Sequence, residues 1–242
     1  MKPYIQAKNG MPGNVNFYTA YLGFAEMGLE CVLFQDYEEL DTSCRGDVVV
    51  GGLGSLRRTL LRHGVEIVEY DYPEELGEYI GRRVWRSTMD EVAADSSLWP
   101  VFVKPVEDKR FTGKVVSSIG DLVGLGASGY NPPVICSEVV NFIAEWRCFV
   151  RYGKILDVRP YKGDWRVSFD PRVIEGAIRN FVSAPAGYAA DFGVTRDGLT
   201  LLVEINDGYS LGCYGLQHDL YAQLLSARWS ELMGVSDECA FS

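Results

Sequence analysis

Histidine is nearly missing from this chain of 242 residues: only His63 and His218 occur, and neither has a partner at metal-ligand spacing. That excludes a histidine-rich metal centre and argues against a His-based nucleophilic triad. The six cysteines, Cys31, Cys44, Cys136, Cys148, Cys213 and Cys239, form no C-x-x-C pair, so no zinc framework or dithiol redox centre is written locally and inert thiols are expected. Basic residues are in deficit, 23 Lys and Arg against 33 Asp and Glu. An acidic surface repels a phosphate backbone, so nucleic acid is not an expected partner. No apolar run reaches the roughly 18 residues that span a bilayer, and the opening MKPYIQAKNG lacks the apolar centre of a signal peptide. A cytoplasmic chain without a membrane partner is expected.

What is present is enough apolar side chain, 47% of residues, to bury a core in one compact unit or two small subdomains. Residues 4–6, 31–35, 47–50 and 66–70 read as strands, and 14–29, 56–63 and the stretch from 74 onward read as helices. That order predicts a small α/β lobe. From Trp99 the strands lengthen, at 101–104, 114–118, 134–139, 147–151 and 154–161. A helix over 170–181, strands over 188–194 and 200–206, and a helix over 216–233 complete the pattern. No repeat or low-complexity linker separates the parts.

The stretch YAADFGVTRDGLTLLVEINDGYSLG carries the strongest chemical signal. Asp197-Gly198 predicts a two-residue hairpin turn. If Arg196 pairs with Leu199, Asp191 falls opposite Glu204, with Asn206 on the same face. Phe192, Val194, Leu199, Leu201, Val203 and Ile205 then make the apolar face. Two carboxylates and an amide oxygen together form an oxygen cage suited to a hard cation such as magnesium. A solvated face that happens to carry two acids is the plainer alternative. Asp191-Phe192-Gly193 also spells the kinase metal triplet, but no H-R-D catalytic loop or glycine-rich loop before a lysine strand accompanies it.

Upstream, WPVFVKPVEDKRFTGKVVSS reads as strand, loop, strand. Lys104 ends an apolar run, and Lys109, Arg110, Thr112, Gly113 and Lys114 lie in or beside a loop that suits polyphosphate, or that is a solvated hairpin tip. VICSEVVNFIAEWRCFVRYGKILDVRPY follows. Backbone groups around Glu138 and Val140 suit an adenine edge, Glu145 suits ribose hydroxyls, and Arg147 and Arg159 suit bidentate pairing with phosphate or carboxylate; each is equally readable as part of an ordinary surface pair. Gly51, Gly52 and Gly54 read as a plain turn before a helix, in preference to an anion site.

In this order VFVKP, Gly113, SEVV, the E-x-R of EWR, the acid of ADF and the E-x-N of VEIND resemble the ATP-grasp superfamily, most closely its RimK-like and R2K-type branches, from about Arg82 to Tyr214. The resemblance implies an α/β (α+β) ATP-grasp fold, with a small N-terminal lobe over 1–85 and two α+β subdomains, 86–140 and 141–242, sandwiching the nucleotide. It implies Asp191, Glu204 and Asn206 as ligands of Mg2+, Lys104 on the phosphates of ATP, Glu138 and Val140 at adenine and Glu145 at ribose. The usual second phosphate lysine has no counterpart, and Arg82 or Arg83 of GRRVWRS offers the charge instead. The implied activity is a carboxylate–amine or carboxylate–thiol ligase working through an acyl phosphate, with Lys104, Arg147 and Arg159 neutralising charge and small-molecule or peptide substrates as partners. A catalytically idle Mg-ATP-binding protein and a phosphotransferase stand as alternatives, and homo-oligomerisation stays open.

Overall fold

The computed structural model of the protein describes residues 1–67, 70, 72–106, 111–125 and 130–240. Lys109 and Arg110 lie outside the described residues, as do residues 68 and 69 of the strand expected over 66–70, while residues 66, 67 and 70 are not in a strand. The chain divides into a larger unit, Met1–Tyr79 with Phe142–Ser242, and a smaller one, Ile80–Asn141. Among the described residues, no helix is long and apolar enough to cross a membrane.

The larger unit opens on a small sheet. β1 (Tyr4–Lys8) meets β2 (Met11–Pro12) antiparallel at its end. Helix α1 (Val15–Glu26) follows, and Asn14 caps it by accepting the Phe17 N–H. β3 (Val32–Phe34) and β4 (Val49–Val50) both run parallel to β1. Helix α2 (Leu53–Arg62) is capped by Gly52, whose N–H goes to Gln6 Oε1 at 2.7 Å, so the glycine run serves as a turn. A short α3 (Gly77–Ile80) ends this stretch.

The smaller unit is a four-stranded antiparallel sheet. β5 (Val84–Thr88) leads into α4 (Met89–Ala94), which Thr88 and Glu91 cap reciprocally. β6 (Val101–Pro105), β7 (Lys114–Val116) and β8 (Pro133–Ser137) complete the order β5-β8-β6-β7. Val101, Val103, Val116, Val134 and Cys136 pack on Met89 and Val92, and alternation sends Phe102 and Lys104 to the opposite face. β5 was not foreseen: three arginines and a tryptophan in GRRVWRS obscure its alternation, yet VWRST is rich in β-formers and pairs along its whole length with β8.

The rest of the larger unit is a second antiparallel sheet, ordered β10-β9-β11-β12. It comprises β9 (Phe142–Arg151), β10 (Lys154–Gly163), β11 (Gly187–Thr195) and β12 (Thr200–Asp207). α5 (Pro171–Asn180), capped by Asp170, links β10 to β11, and α6 (His218–Met233) follows β12. β9 and β11 are central, and every residue of β11 is buried. Phe24 of α1, Leu60 of α2, Ala189 of β11 and Leu224 and Trp229 of α6 share one core, so the first and last segments of the chain bury each other.

The β11–β12 hairpin overturns the expected turn but keeps its consequence. Thr195 N–H donates to Leu199 O and Gly198 N–H to Thr195 O, both at 3.0 Å, closing a three-residue loop with Gly198 at φ 87. Thr195 Oγ1 favours the wider loop by accepting Leu199 N–H (3.1 Å) and donating to Asp197 (2.6 Å). The register therefore slips by one, setting Phe192 opposite Leu202 and Val194 opposite Thr200. A bulge at Val203 then restores the step, so Asp191 faces Glu204 and Ala189 faces Asn206. The apolar face is corrected accordingly: Leu202 is fully buried in place of Leu201, and Leu199 is 55% exposed.

Candidate active site

Three neighbouring strands bring the site together. Arg147 of β9 and Asp191 of β11 are cross-strand partners, and Asp191 in turn opposes Glu204 of β12. The Arg147 guanidinium holds Asp191 in a fork, Nε to Oδ1 at 2.8 Å and Nη2 to Oδ2 at 2.7 Å. Asn206 Nδ2 donates to Asp191 Oδ2 at 3.1 Å and to Glu204 Oε1 at 3.4 Å. Arg147 and Asp191 are both buried, because β9 and β11 are the inner strands of the sheet.

Glu145, two residues before Arg147 on the same strand, is buried as well. Its carboxylate accepts the Tyr161 hydroxyl at 2.8 Å and the Lys162 ammonium. A bulge between Pro160 and Lys162 is what lets consecutive residues of β10 reach one carboxylate. Tyr161 stacks on Tyr214 at 5.1 Å, and Arg147 lies 4.8 Å from the centre of the Tyr214 ring. Tyr161, Lys162 and Tyr214 were missed by sequence reasoning; the proline in an otherwise regular edge strand was the one signal for the bulge.

Electrostatics mark this face as strained toward negative charge. Burial pushes the Asp191 carboxyl above the usual carboxylate range; Arg147 pulls it back, while Glu204 and Glu145 push it up again. Burial by itself would lower the Arg147 guanidinium, but bonding and attraction to Asp191 outweigh it. Guanidinium stays protonated beside a carboxylate, so the pair is ionised. Burial and then the Asp191 and Glu145 carboxylates hold the Tyr161 phenol far above its ordinary value, leaving it a hydrogen-bond donor. Arg147 sits on Asp191 and Lys162 on Glu145, so each of these two buried carboxylates has a cation in contact.

The other expected residues fall elsewhere. Arg159 sits opposite Arg147 in the register but is half exposed and pairs with Asp157 at 2.7 Å. In the smaller unit Lys104 lies on the face away from the core, and Lys114 opens β7 opposite Val103. Glu138 accepts the Arg83 N–H (2.9 Å) and returns its own N–H to Arg83 O (3.1 Å), and Val140 follows two residues on. Arg82 Nη1 bonds Ile80 O at 3.0 Å, and the Arg83 guanidinium lies over Trp85. The six cysteines are free thiols, and burial pushes Cys148 up to about 12.

The donor set fits a magnesium ion in kind. Two carboxylates and an amide supply hard oxygens, and a half-turn of the Asn206 amide presents Oδ1 where Nδ2 now points. Among the described residues no group of three or more His, Cys, Asp or Glu forms, so Asn206 is needed to complete the set.

A model of the ATP-grasp domain, R2K clade family 2, matches residues 79–224, more than half of the chain. The protein belongs to this family. No curated protein matches it. Among solved structures, this R2K chain is similar to a RimK domain ATP-grasp protein from Sphaerobacter thermophilus, at 15% identity and TM-score 0.59, over 93% of this chain and 99% of that one. It is similar to D-alanine–D-alanine ligase from Bacillus anthracis complexed with ATP, at 13% identity and TM-score 0.57, over 96% and 97%. The macrocyclase MdnC from Microcystis aeruginosa MRC, bound with precursor peptide MdnA, matches at 13% identity and TM-score 0.51, over 93% and 99%. At such identities the likeness is one of fold, and that fold is the expected α+β ATP-grasp architecture.

Proposed function

We propose that this R2K protein is a Mg-ATP-dependent ligase that activates a carboxylate as an acyl phosphate and passes it to an amine or thiol, releasing ADP and phosphate. One observation carries the reading: Asp191 and Glu204 face each other across β11 and β12 with Asn206 beside them, gathering two carboxylates and an amide on one strand face, the hard-oxygen set that magnesium takes. In this reading Asp191, Glu204 and Asn206 hold magnesium, which when bound neutralises triphosphate charge. Lys104, Lys114 and Arg82 hold phosphate oxygens, Glu138 and Val140 meet the adenine edge, and Glu145 takes the ribose. Arg147 and Arg159 offset the repulsion between a substrate carboxylate and the γ-phosphoryl group. Residues 1–85 serve as an acceptor lobe, 86–140 as a phosphate subdomain and 141–242 as the metal-bearing one.

The chemistry balances without a protein nucleophile. A substrate carboxylate oxygen bonds to the γ-phosphorus as its bond to the ADP oxygen breaks. The amine nitrogen then bonds to the acyl carbon, phosphate leaves with the carbon–oxygen bond pair, and the amine gives up a proton to solvent. Peptide or small-molecule acceptors both suit the scheme; the peptide-bound macrocyclase and the D-alanine–D-alanine ligase of the same fold support that range.

Purified protein is therefore incubated with Mg-ATP and pools of acids, amines and peptides, and ADP is measured. ADP release that depends on both an acid and a nucleophile, and that Glu204→Gln abolishes, is the expected result. Tight Mg-ATP binding without ADP in any pool would replace the ligase with an idle nucleotide-binding protein, and phosphate retained on a stable product would make it a phosphotransferase.

A further inference from the structure

We infer that Tyr214 is a positioning residue that holds the Arg147 guanidinium on Asp191, an inference that rests on the metal-site reading above. Tyr214 lies in the segment between β12 and α6 with φ 41, in the left-handed region that bulky side chains avoid. Core burial does not explain that conformation, because the residue is 47% exposed. Anchors on either side impose it. Leu211 O accepts the Tyr221 hydroxyl at 2.6 Å, Cys213 N–H donates to Asn16 Oδ1 at 3.0 Å, and Leu216 N–H donates to Cys213 O at 2.8 Å. Leu211, Cys213 and Leu216 are all buried in the core. Gly212 leaves the ring its room, since a Cβ there would stand 3.2 Å from Tyr214 Cε2.

What the constrained backbone achieves is the placement of one ring. Tyr214 stacks on Tyr161, whose hydroxyl is tied to Glu145, and Arg147 meets the Tyr214 face while its nitrogens grip Asp191. The side chains run unbroken from Glu145 through Tyr161, Tyr214, Arg147 and Asp191 to Asn206 and Glu204. A guanidinium seated on Asp191 opposes a bare cation there, yet stays aimed for a ligand that brings phosphate oxygens with its metal. Removing the ring loosens the guanidinium and moves these two affinities in opposite directions. A residue that merely packs would weaken both.

The test uses the full chain, with Mn2+ as a paramagnetic probe read by electron paramagnetic resonance, alone and with a nonhydrolysable ATP analogue. Tyr214→Leu is expected to bind free Mn2+ about threefold more tightly and the Mn-nucleotide about tenfold more weakly. Tyr214→Phe, which keeps the aromatic face, should stay within about twofold of the parent on both. Arg147→Met should show the same crossover more strongly. Both affinities falling together, neither moving, or Tyr214→Phe matching Tyr214→Leu would overturn the inference. Mn2+ binding that survives Glu204→Gln would overturn the metal-site reading itself, an outcome distinct from a failed crossover.

Discussion

Of the arginine–aspartate forks in the larger unit, two join residues far apart in the chain, with nearly the same bond lengths and different surroundings. Arg228 of α6 grips Asp207 at the end of β12 at 2.7 and 2.6 Å; Arg147 grips Asp191 at 2.8 and 2.7 Å. Around the first, spare acceptors are taken by backbone donors and a second acid closes the network: Tyr209 N–H reaches Asp207, Arg228 also holds Glu231, and Glu231 accepts Ala186 N–H. That arrangement staples helix to sheet. Around the second, the neighbours are side chains on a strand face, namely Asn206, Glu204 and an aromatic ring. Side chains can rotate toward a ligand where backbone groups cannot. The fork is thus a common part, and whether its remaining lone pairs face peptide N–H groups or mobile polar groups separates a brace from a site.

The largest effect that can break this comparison is Arg228→Met. It strands Asp207 and Glu231 and should cost about 3–5 kcal/mol in denaturant unfolding, with no recovery in magnesium. Arg147→Met should cost about 3 kcal/mol in the absence of metal and recover part of it in millimolar magnesium, because the cation replaces the lost charge. Equal recovery of both variants would erase the distinction. A third cluster of the closed kind sharpens it. Asp237 binds Ser226, Arg151, Tyr152 and the Cys239 N–H, and although burial alone would raise its carboxyl, those bonds hold it below the usual range. A lowered folded value means that its stabilisation is complete above the unfolded value of about 4 and is lost as pH falls through the lower folded one. Asp237→Asn should cost about 1–2 kcal/mol at neutral pH, and its deficit should shrink in acid, as urea midpoints across that range will show. The smallest effect belongs to Glu204→Gln. It should change metal-free stability by less than about 1 kcal/mol while abolishing stabilisation by magnesium, both read by thermal unfolding.

Much of the sheet chemistry was legible because alternation is local. Lys104 at the end of VFVKP, Asp191 in ADF and Glu204 with Asn206 in VEIND can be placed on faces from spacing alone, and the cross-strand pair of acids formed as expected. It formed through two compensating departures, a loop one residue longer than the turn and a bulge at Val203. Neither is visible in the residue pattern, because Thr195 selects the loop through side-chain bonds that compete with the tighter turn. Arg147 was expected to pair bidentately with phosphate or carboxylate, and the carboxylate it grips is that of Asp191, 44 residues along the chain, a partner that local spacing does not name. Tyr161, Lys162 and Tyr214 stayed hidden for a related reason. Tyrosine and lysine on an exposed edge strand look like surface until a bulge brings both polar ends to Glu145, and a tyrosine at positive φ leaves no mark in the sequence.

The sequence by itself determined which polar residues the β11–β12 hairpin carries and the strand faces on which Asp191, Glu204 and Asn206 lie, since residue type and period-two alternation need no knowledge of distant neighbours. Only the tertiary structure decided who holds whom. The Arg147–Asp191 fork, the Tyr214 ring above it and the Tyr161–Lys162 clasp on Glu145 depend on which strands become central and where the ladder slips. Those outcomes arise from burial shared between the first and last segments of the chain, which no local window contains.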